Sequence, residues 1–339
     1  MFWRVGSRGV AMLTRLQVDG FKNLRQVDLR FGPLTCIAGR NGVGKSNLFD
    51  AIALLSDLAS MPLVQAATRV RGTGGRLSGI GQLFGRDGDA QPCIRITAEM
   101  IVPRQVHDDF DRAAEATATC LRYTVALTLR QQAGAPEGPT LHLLQEELVA
   151  LSLEAATQSF KFQPGKAWRA KYLKGPRNRT GPFIATLPGG AIKLLGDTGG
   201  RGRPFVVPAD KSPQTVLAGV NASSHPTVLA ARREMQSWRL LQLEPTALRA
   251  PDEFSGENRL SATGGHLPNT LKRVACHAER AWVTFKPSAG TGRSDGLTRT
   301  AVVSKGMLTA YLGDDPVRLP RPSAKRTVQD HLTGDLFQA

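Results

Sequence analysis

Cysteine is scarce in this chain of 339 residues: Cys36, Cys93, Cys120 and Cys276 lie far apart and form no CxxC pair. That excludes a zinc knuckle and a dense disulfide frame, and it suits reduced thiols in a cytoplasmic protein. Long apolar runs are missing as well. The most apolar window, Ala51 to Ala67, is broken by Asp57 and Pro62 and is too short to span a bilayer, so no membrane partner is expected. The opening MFWRVGSRGVA has arginines but no sustained apolar core, unlike a signal peptide, and Met12 leaves residues 1–11 readable as a start-site extension. Acidic residues are in deficit. Against 44 Lys and Arg stand 28 Asp and Glu, a formal charge of +16 with a pI near 10.4. Such an excess suits an anionic partner, and it equally suits a plain solvated surface.

What is present begins with alternation. Leu13 to Asp19 and Gln26 to Phe31 alternate apolar and polar residues as half-buried strands do, with GFKN as the turn between them. Leu34 to Ala38 (LTCIA) is apolar on both faces, as a central strand of a covered sheet would be. From Lys45 to about Ala59, Leu48, Ile52, Leu55 and Leu58 recur at helical spacing. A Gly-, Arg- and Ser-rich loop fills 70–88, and strand patterns return at 93–102, 120–130 and 141–153. A short helix is expected around 106–116. Short strand-like runs alternate with Gly and Pro over 158–207. Helical patterns resume at 227–238 and 267–281, and beyond Trp282 no segment keeps an amphipathic period.

Between the apolar run and the helix lies Gly39-Arg40-Asn41-Gly42-Val43-Gly44-Lys45-Ser46, a match to GxxxxGK[ST]. Glycines let the loop bend and bring backbone N–H groups against phosphate oxygens. The helix that starts there points its N-terminus at the same phosphates. Lys45 can reach the β- and γ-phosphates, and the Ser46 hydroxyl can hold Mg²⁺. ATP with Mg²⁺ is the expected ligand.

The flanking residues narrow the class. LTRLQVDGFKNLRQVDLRF followed by GRNGVGKSNLFDAI resembles the N-terminal lobe of RecF-, SMC- and OLD-like heads, AAA-family ATPases of ABC type. The resemblance rests on the GFKNL turn, the Asn-Gly-x-Gly-Lys-Ser-Asn core, which ends at Asn47, and the Asp-Ala-Ile after it. It is strong over 12–56 and returns weakly over 226–275. It implies an α/β P-loop NTPase sheet with a β-rich insertion and an irregular C-terminal tail. The expected division is 12–60 as nucleotide-binding lobe, 61–220 as insertion, 221–281 as partial second lobe and 282–339 as tail. It also implies that Lys22 and Asn23 help hold the nucleotide, and that the protein works on DNA with a second copy or a full-length ATPase as partner.

Hydrolysis in this class needs an apolar strand ending in Asp-Glu and a Ser-x-Gly signature. Neither is evident. Asp252-Glu253 follows a proline, Asp314-Asp315 follows TAYLG, and Ser304-Lys305-Gly306 is a degenerate signature at best. His225, His266 and His277 stand isolated. The catalytic residues are therefore unassigned, and a remnant that binds ATP without turnover stays open beside the ATPase reading.

A third reading is a basic nucleic-acid-binding module. No Asp or Glu occurs between Glu154 and Asp197, while Lys161, Lys166, Arg169, Lys171, Lys174, Arg177 and Arg179 cluster around Trp168 and Tyr172. Cations track a phosphate backbone and aromatics stack on bases. The alternative is a solvated hairpin with Trp168 in the core.

Overall fold

In the computed structural model, the described residues are 2–4, 11–33, 35–85, 92–130, 140–176, 181–197, 205–252, 260–271, 280–285, 299–304, 307–312 and 315–317. The chain divides into two compact units, residues 3–240 and a second formed mainly by residues 241–339.

The first unit is built on one eight-stranded sheet. Its strands are β1 (Met12–Asp19), β2 (Val27–Arg30), β3 (Cys93–Ile101), β6 (Cys120–Arg130), β7 (Thr140–Ala150), β8 (Ile184–Thr186), β9 (Ala191–Leu194) and β10 (Phe205–Pro208). A separate hairpin of β4 (Gln105–His107) and β5 (Ala113–Glu115) lies between β3 and β6 in the chain. The order across the large sheet is β10-β9-β8-β7-β6-β3-β1-β2, and every neighbouring pair is antiparallel. The strands before and after the first helix thus share one sheet.

Alternation decides which face is buried. Leu16 and Val18 of β1, Ile94, Ile96 and Ala98 of β3, and Leu121, Tyr123 and Val125 of β6 are all buried in one core. Over them lie α1 (Lys45–Leu58), α2 (Leu63–Arg69) and α6 (Pro226–Ser237), which add Leu48, Ile52, Leu55, Ala66, Val228 and Leu229. Arg15, Glu99 and Arg122 stand in one row on the opposite face, where Glu99 accepts from Arg15 at 3.4 Å and from Arg122 at 2.9 Å. Further along the sheet, Met12, Ile101, Cys120 and Leu151 form a smaller cluster beneath α3 (Leu153–Ser159) and α4 (Lys166–Tyr172).

Three local expectations change. Residues 106–116 form the β4–β5 hairpin rather than a helix, joined by a turn in which Asp108 accepts from the N–H groups of Phe110 and Arg112, both at 2.9 Å. Residues 166–172 are helical, where the flanking Gly and Pro suggest only strand-like runs. Residues 35–38 pair with no strand among the described residues; Thr35, Cys36 and Ala38 are exposed and Ile37 is half-buried. Apolar character is only half of what a strand needs, since a ladder also requires a neighbour for its N–H and C=O groups.

In the second unit, α7 (Pro245–Arg249) precedes a helical turn at 267–271. Asp252 lies in the loop expected of it. It accepts from His266 Nδ1 at 3.0 Å and from the Asn269 N–H at 3.0 Å, so His266 is not isolated. Where the sequence suggests a loop-rich tail, β11 (Arg280–Phe285), β12 (Arg299–Ser304), β13 (Met307–Leu312) and β14 (Asp315–Val317) form an antiparallel meander. Ser304 ends β12, whereas Lys305, Gly306, Asp314, Glu253 and His277 lie outside the described residues.

Candidate functional site

The loop Gly39–Ser46 opens directly into α1. Gly44 takes φ +105° and Gly42 φ +84°, left-handed geometry that side chains rarely adopt. A Cβ on Gly44 would also lie 2.9 Å from Asn23 Oδ1 and 3.1 Å from Leu24 Cδ2. The helix therefore starts at a point where only glycine fits. No side chain caps α1, and no acidic residue lies in its first turn. Its first N–H groups and the positive end of its dipole face the loop, which is the arrangement an oxyanion requires.

Lys45 folds back over this loop, its Nζ donating to the Gly39 carbonyl at 2.5 Å and the Arg40 carbonyl at 2.6 Å. Arg40, Asn41, Gly42, Val43 and Ser46 are exposed. The Ser46 hydroxyl belongs to the first turn of α1, where a cation bridging phosphate oxygens would need a ligand. No group of three or more His, Cys, Asp or Glu side chains able to hold a metal occurs among the described residues. A metal here would depend on Ser46 and on the phosphates themselves.

The GFKN turn reaches this site from β1. Buried Phe21 and a bond from the Lys22 N–H to the Leu83 carbonyl at 2.7 Å fix the turn, and Lys22 itself sits at φ +52°. Asn23 Nδ2 donates to the Gly42 carbonyl at 3.3 Å, and Asn47 Nδ2 donates to Asn23 Oδ1 at 2.8 Å. Asn23 and Asn47 thereby brace the phosphate loop from the side. The Lys22 ammonium points elsewhere, to buried Asp50 at 2.7 Å and the Arg71 carbonyl at 2.6 Å. Arg71 closes the cluster on Asp50 at 3.1 Å. Sequence reasoning missed Asp50 and Arg71. Four residues after Ser46, Asp50 shares a helix side with the loop, and that spacing was the available signal. An open cavity of about 940 Å³ adjoins the brace, lined in part by Lys22, Asn23, Arg25, Asn47, Arg71 and Phe84.

The basic segment divides. Lys161, Lys166, Arg169 and Lys171 are exposed. Lys174 instead turns inward, donating to Glu115 at 2.9 Å and to the Ala116 carbonyl at 3.0 Å. Glu115, which also accepts from Arg104, is held down at about 2 by these two cations. Arg177 and Arg179 lie outside the described residues. Trp168 and Tyr172 are half-buried and pack on each other, with ring centroids 5.4 Å apart.

Against this geometry, a family model described as an AAA domain matches residues 15–113. The chain is 46% identical over 46 residues to a DNA replication and repair protein RecF from Phocaeicola vulgatus, covering 13% of this chain and 12% of the relative. It is 52% identical over 44 residues to an OLD nuclease from Thermus scotoductus, 13% of this chain and 8% of the relative. Against a RecF from Magnetococcus marinus it is 48% identical over 56 residues, 16% and 15% of the two chains. No solved structure matches. In its N-terminal stretch the chain is similar to AAA/ABC-type ATPases of RecF and OLD type, as its motifs implied, and it spans less than a sixth of the length of these relatives. No helix among the described residues is long and apolar enough to cross a membrane.

Proposed function

We propose that this chain binds ATP with Mg²⁺ through Gly39–Ser46 and belongs functionally with the cytoplasmic P-loop ATPases that act on DNA. One observation carries the reading: an uncapped 14-residue helix begins at a left-handed glycine, with a lysine at its first position turned back over the loop. The loop N–H groups and Lys45 bind the β- and γ-phosphates, and Ser46 supplies the protein ligand to Mg²⁺, which when bound would neutralise phosphate charge. Asn23 and Asn47 hold the loop in register. The adjoining cavity has room for the remainder of the nucleotide. The relatives' names, DNA replication and repair protein and nuclease, favour a role in DNA maintenance; the sequence resemblance leaves phage defence as the other setting, with a second copy or a longer ATPase completing the site.

Binding without efficient turnover is favoured by a specific observation. No strand among the described residues ends in Asp-Glu, and Asp50, the acidic side chain of α1 braced beside the loop, is neutralised by Lys22 and Arg71. Positioned charge supplies most of phosphoryl-transfer catalysis. Calorimetry with Mg·ATP should show binding that weakens by about 1.5–3 kcal/mol in Lys45→Ala, the scale of a hydrogen bond to a charged group. Single-turnover hydrolysis should fall far below about one per second. Unchanged affinity in the variant would remove the assignment. Turnover at that rate, lost in Lys45→Ala, would establish a complete catalytic site.

A further inference from the structure

We propose that Phe110, at the tip of the β4–β5 hairpin, docks on the α3–α4 elbow of a second copy of this chain, a head-to-tail contact between two different surfaces.

The tip is a fixed knob. Phe110 is 76% exposed, the highest figure for a large hydrophobic side chain among the described residues. Single exposed apolar groups are ordinary, but this one is held in place. The enclosed Asp108 carboxylate accepts from the Phe110 and Arg112 N–H groups, from Arg112 Nε at 2.7 Å and from the Ser223 N–H at 3.3 Å. Asp109 pairs with Arg233 of α6, and Asp111 takes φ +59°, left-handed geometry that few residues with a side chain adopt. The Arg112 guanidinium lies 5.2 Å from the ring centroid. A ring so constrained loses little freedom on binding, as an interface anchor requires. Asp108 and Asp109 have cationic partners, while exposed Asp111 has none among the described residues. The knob is therefore apolar with one uncompensated negative charge.

The elbow is its complement. Leu153, 41% exposed, lies over Gly175, where a Cβ would come within 3.2 Å of Leu153 Cγ. Phe160, Phe162, Trp168 and Tyr172 follow as half-buried rings, successive centroids 5.0, 5.6 and 5.4 Å apart. Exposed Lys161, Lys166, Arg169 and Lys171 stand among them, and none has an acidic partner among the described residues. Glu154 is the one exposed acid on the two helices.

Bare phosphates would leave Leu153 and the rings facing water, and a membrane surface needs apolar groups that project, where these rings are recessed. An apolar group that carries negative charge satisfies both halves of the surface, and the tip supplies one. The tip comes from another copy. Met12, Ile101 and Cys120 beneath the elbow alternate along their strands with Leu13, Met100 and Leu121, which face the core that α6 covers. The tip is tied to α6, and the elbow rests on the other face of the sheet. Because it joins unlike surfaces, the contact propagates from copy to copy.

The test is sedimentation velocity on the full chain without nucleotide, from about 2 to 200 µM, a range suited to a contact below standard interface size. The sedimentation coefficient should rise with concentration. Phe110→Ala and, separately, Arg169→Glu/Lys171→Glu should each stay monomeric, and Asp111→Asn should associate only at several-fold higher concentration. Phe110→Trp should associate as the parent does. Mixed in equal amounts, Phe110→Ala and Arg169→Glu/Lys171→Glu each contribute one intact surface, so they should form pairs that grow no further. Circular dichroism should show every variant folded. A parent chain that is monomeric throughout the range would overturn the proposal. So would association that survives Phe110→Ala, as a contact through the phosphate loops would, or a mixture that stays monomeric.

Discussion

Two helices of the first unit begin in opposite ways. α5 (Val216–Gly219) starts against Glu146, an inward-facing, fully buried residue of β7. The carboxylate accepts from the Val216 N–H at 2.6 Å, from the Leu217 N–H at 2.9 Å and from Tyr123 Oη at 3.1 Å. Every donor aimed at that point has an acceptor supplied by the protein. At α1 the provision is reversed: a left-handed glycine, no cap, and a cation in place of an anion. A helix start thus serves architecture where the chain fills it, as Thr215 and Glu146 do at α5, and is available to a ligand where the chain leaves it open. The difference lies in which residue faces the first turn.

The strongest way to break the comparison is Glu146→Ala. It strands three buried donors and should cost about 3–5 kcal/mol in urea denaturation. A loss no larger than that of an ordinary surface substitution would mean that α5 does not depend on this acceptor.

Raising the pH tests the same site more gently. Burial lifts the Glu146 carboxyl to about 7, partly opposed by its three donors, and lifts Glu234 of α6 to about 7 despite a 3.0 Å bond from Trp238 Nε1. Both groups hold their proton more tightly folded than unfolded. Their contribution is therefore complete below about pH 4.5 and is lost as pH rises through about 7, at up to about 3 kcal/mol each. Melting temperatures measured from pH 5 to 8 should fall across that window, and Glu234→Gln should flatten the fall. A melting temperature rising toward pH 8 would contradict it.

The smallest effect on stability belongs to the open site. Gly44→Ala imposes a left-handed alanine and crowds Asn23, at a cost of about 1–2 kcal/mol. It should nevertheless sharply weaken Mg·ATP binding in calorimetry. If affinity survived, the loop's geometry would matter less than its charge.

Much of this was legible because it is local. The phosphate loop announces itself in eight consecutive residues, β3 and β6 by their alternation, and α6 by its period. Three of the failures share a cause, partners distant in the chain or absent among the described residues. Nothing near Glu146 signals that Val216, 70 residues on, needs its oxygen. Asp50 reads as another helix acid until Lys22 and Arg71 converge on it. Leu34 to Ala38 has a strand's composition, but composition does not report that residues 35–38 lack a strand neighbour among the described residues. The β4–β5 hairpin replaced an expected helix because the Asp108 turn outweighs a weak periodicity.

The order of the large sheet also sets a timetable. β1 is made well before its inner neighbour β3, and Thr14 bonds to Glu99 across 85 residues of chain. Closing so long a loop is unfavourable until the helices between have begun to pack, because its entropy is lost before the ladder compensates. Pairing of β1 with β3 is accordingly the long-range step in building this sheet, whose other neighbours follow one another along the chain. The segment carrying the phosphate loop gains a rigid frame only after β3 has arrived.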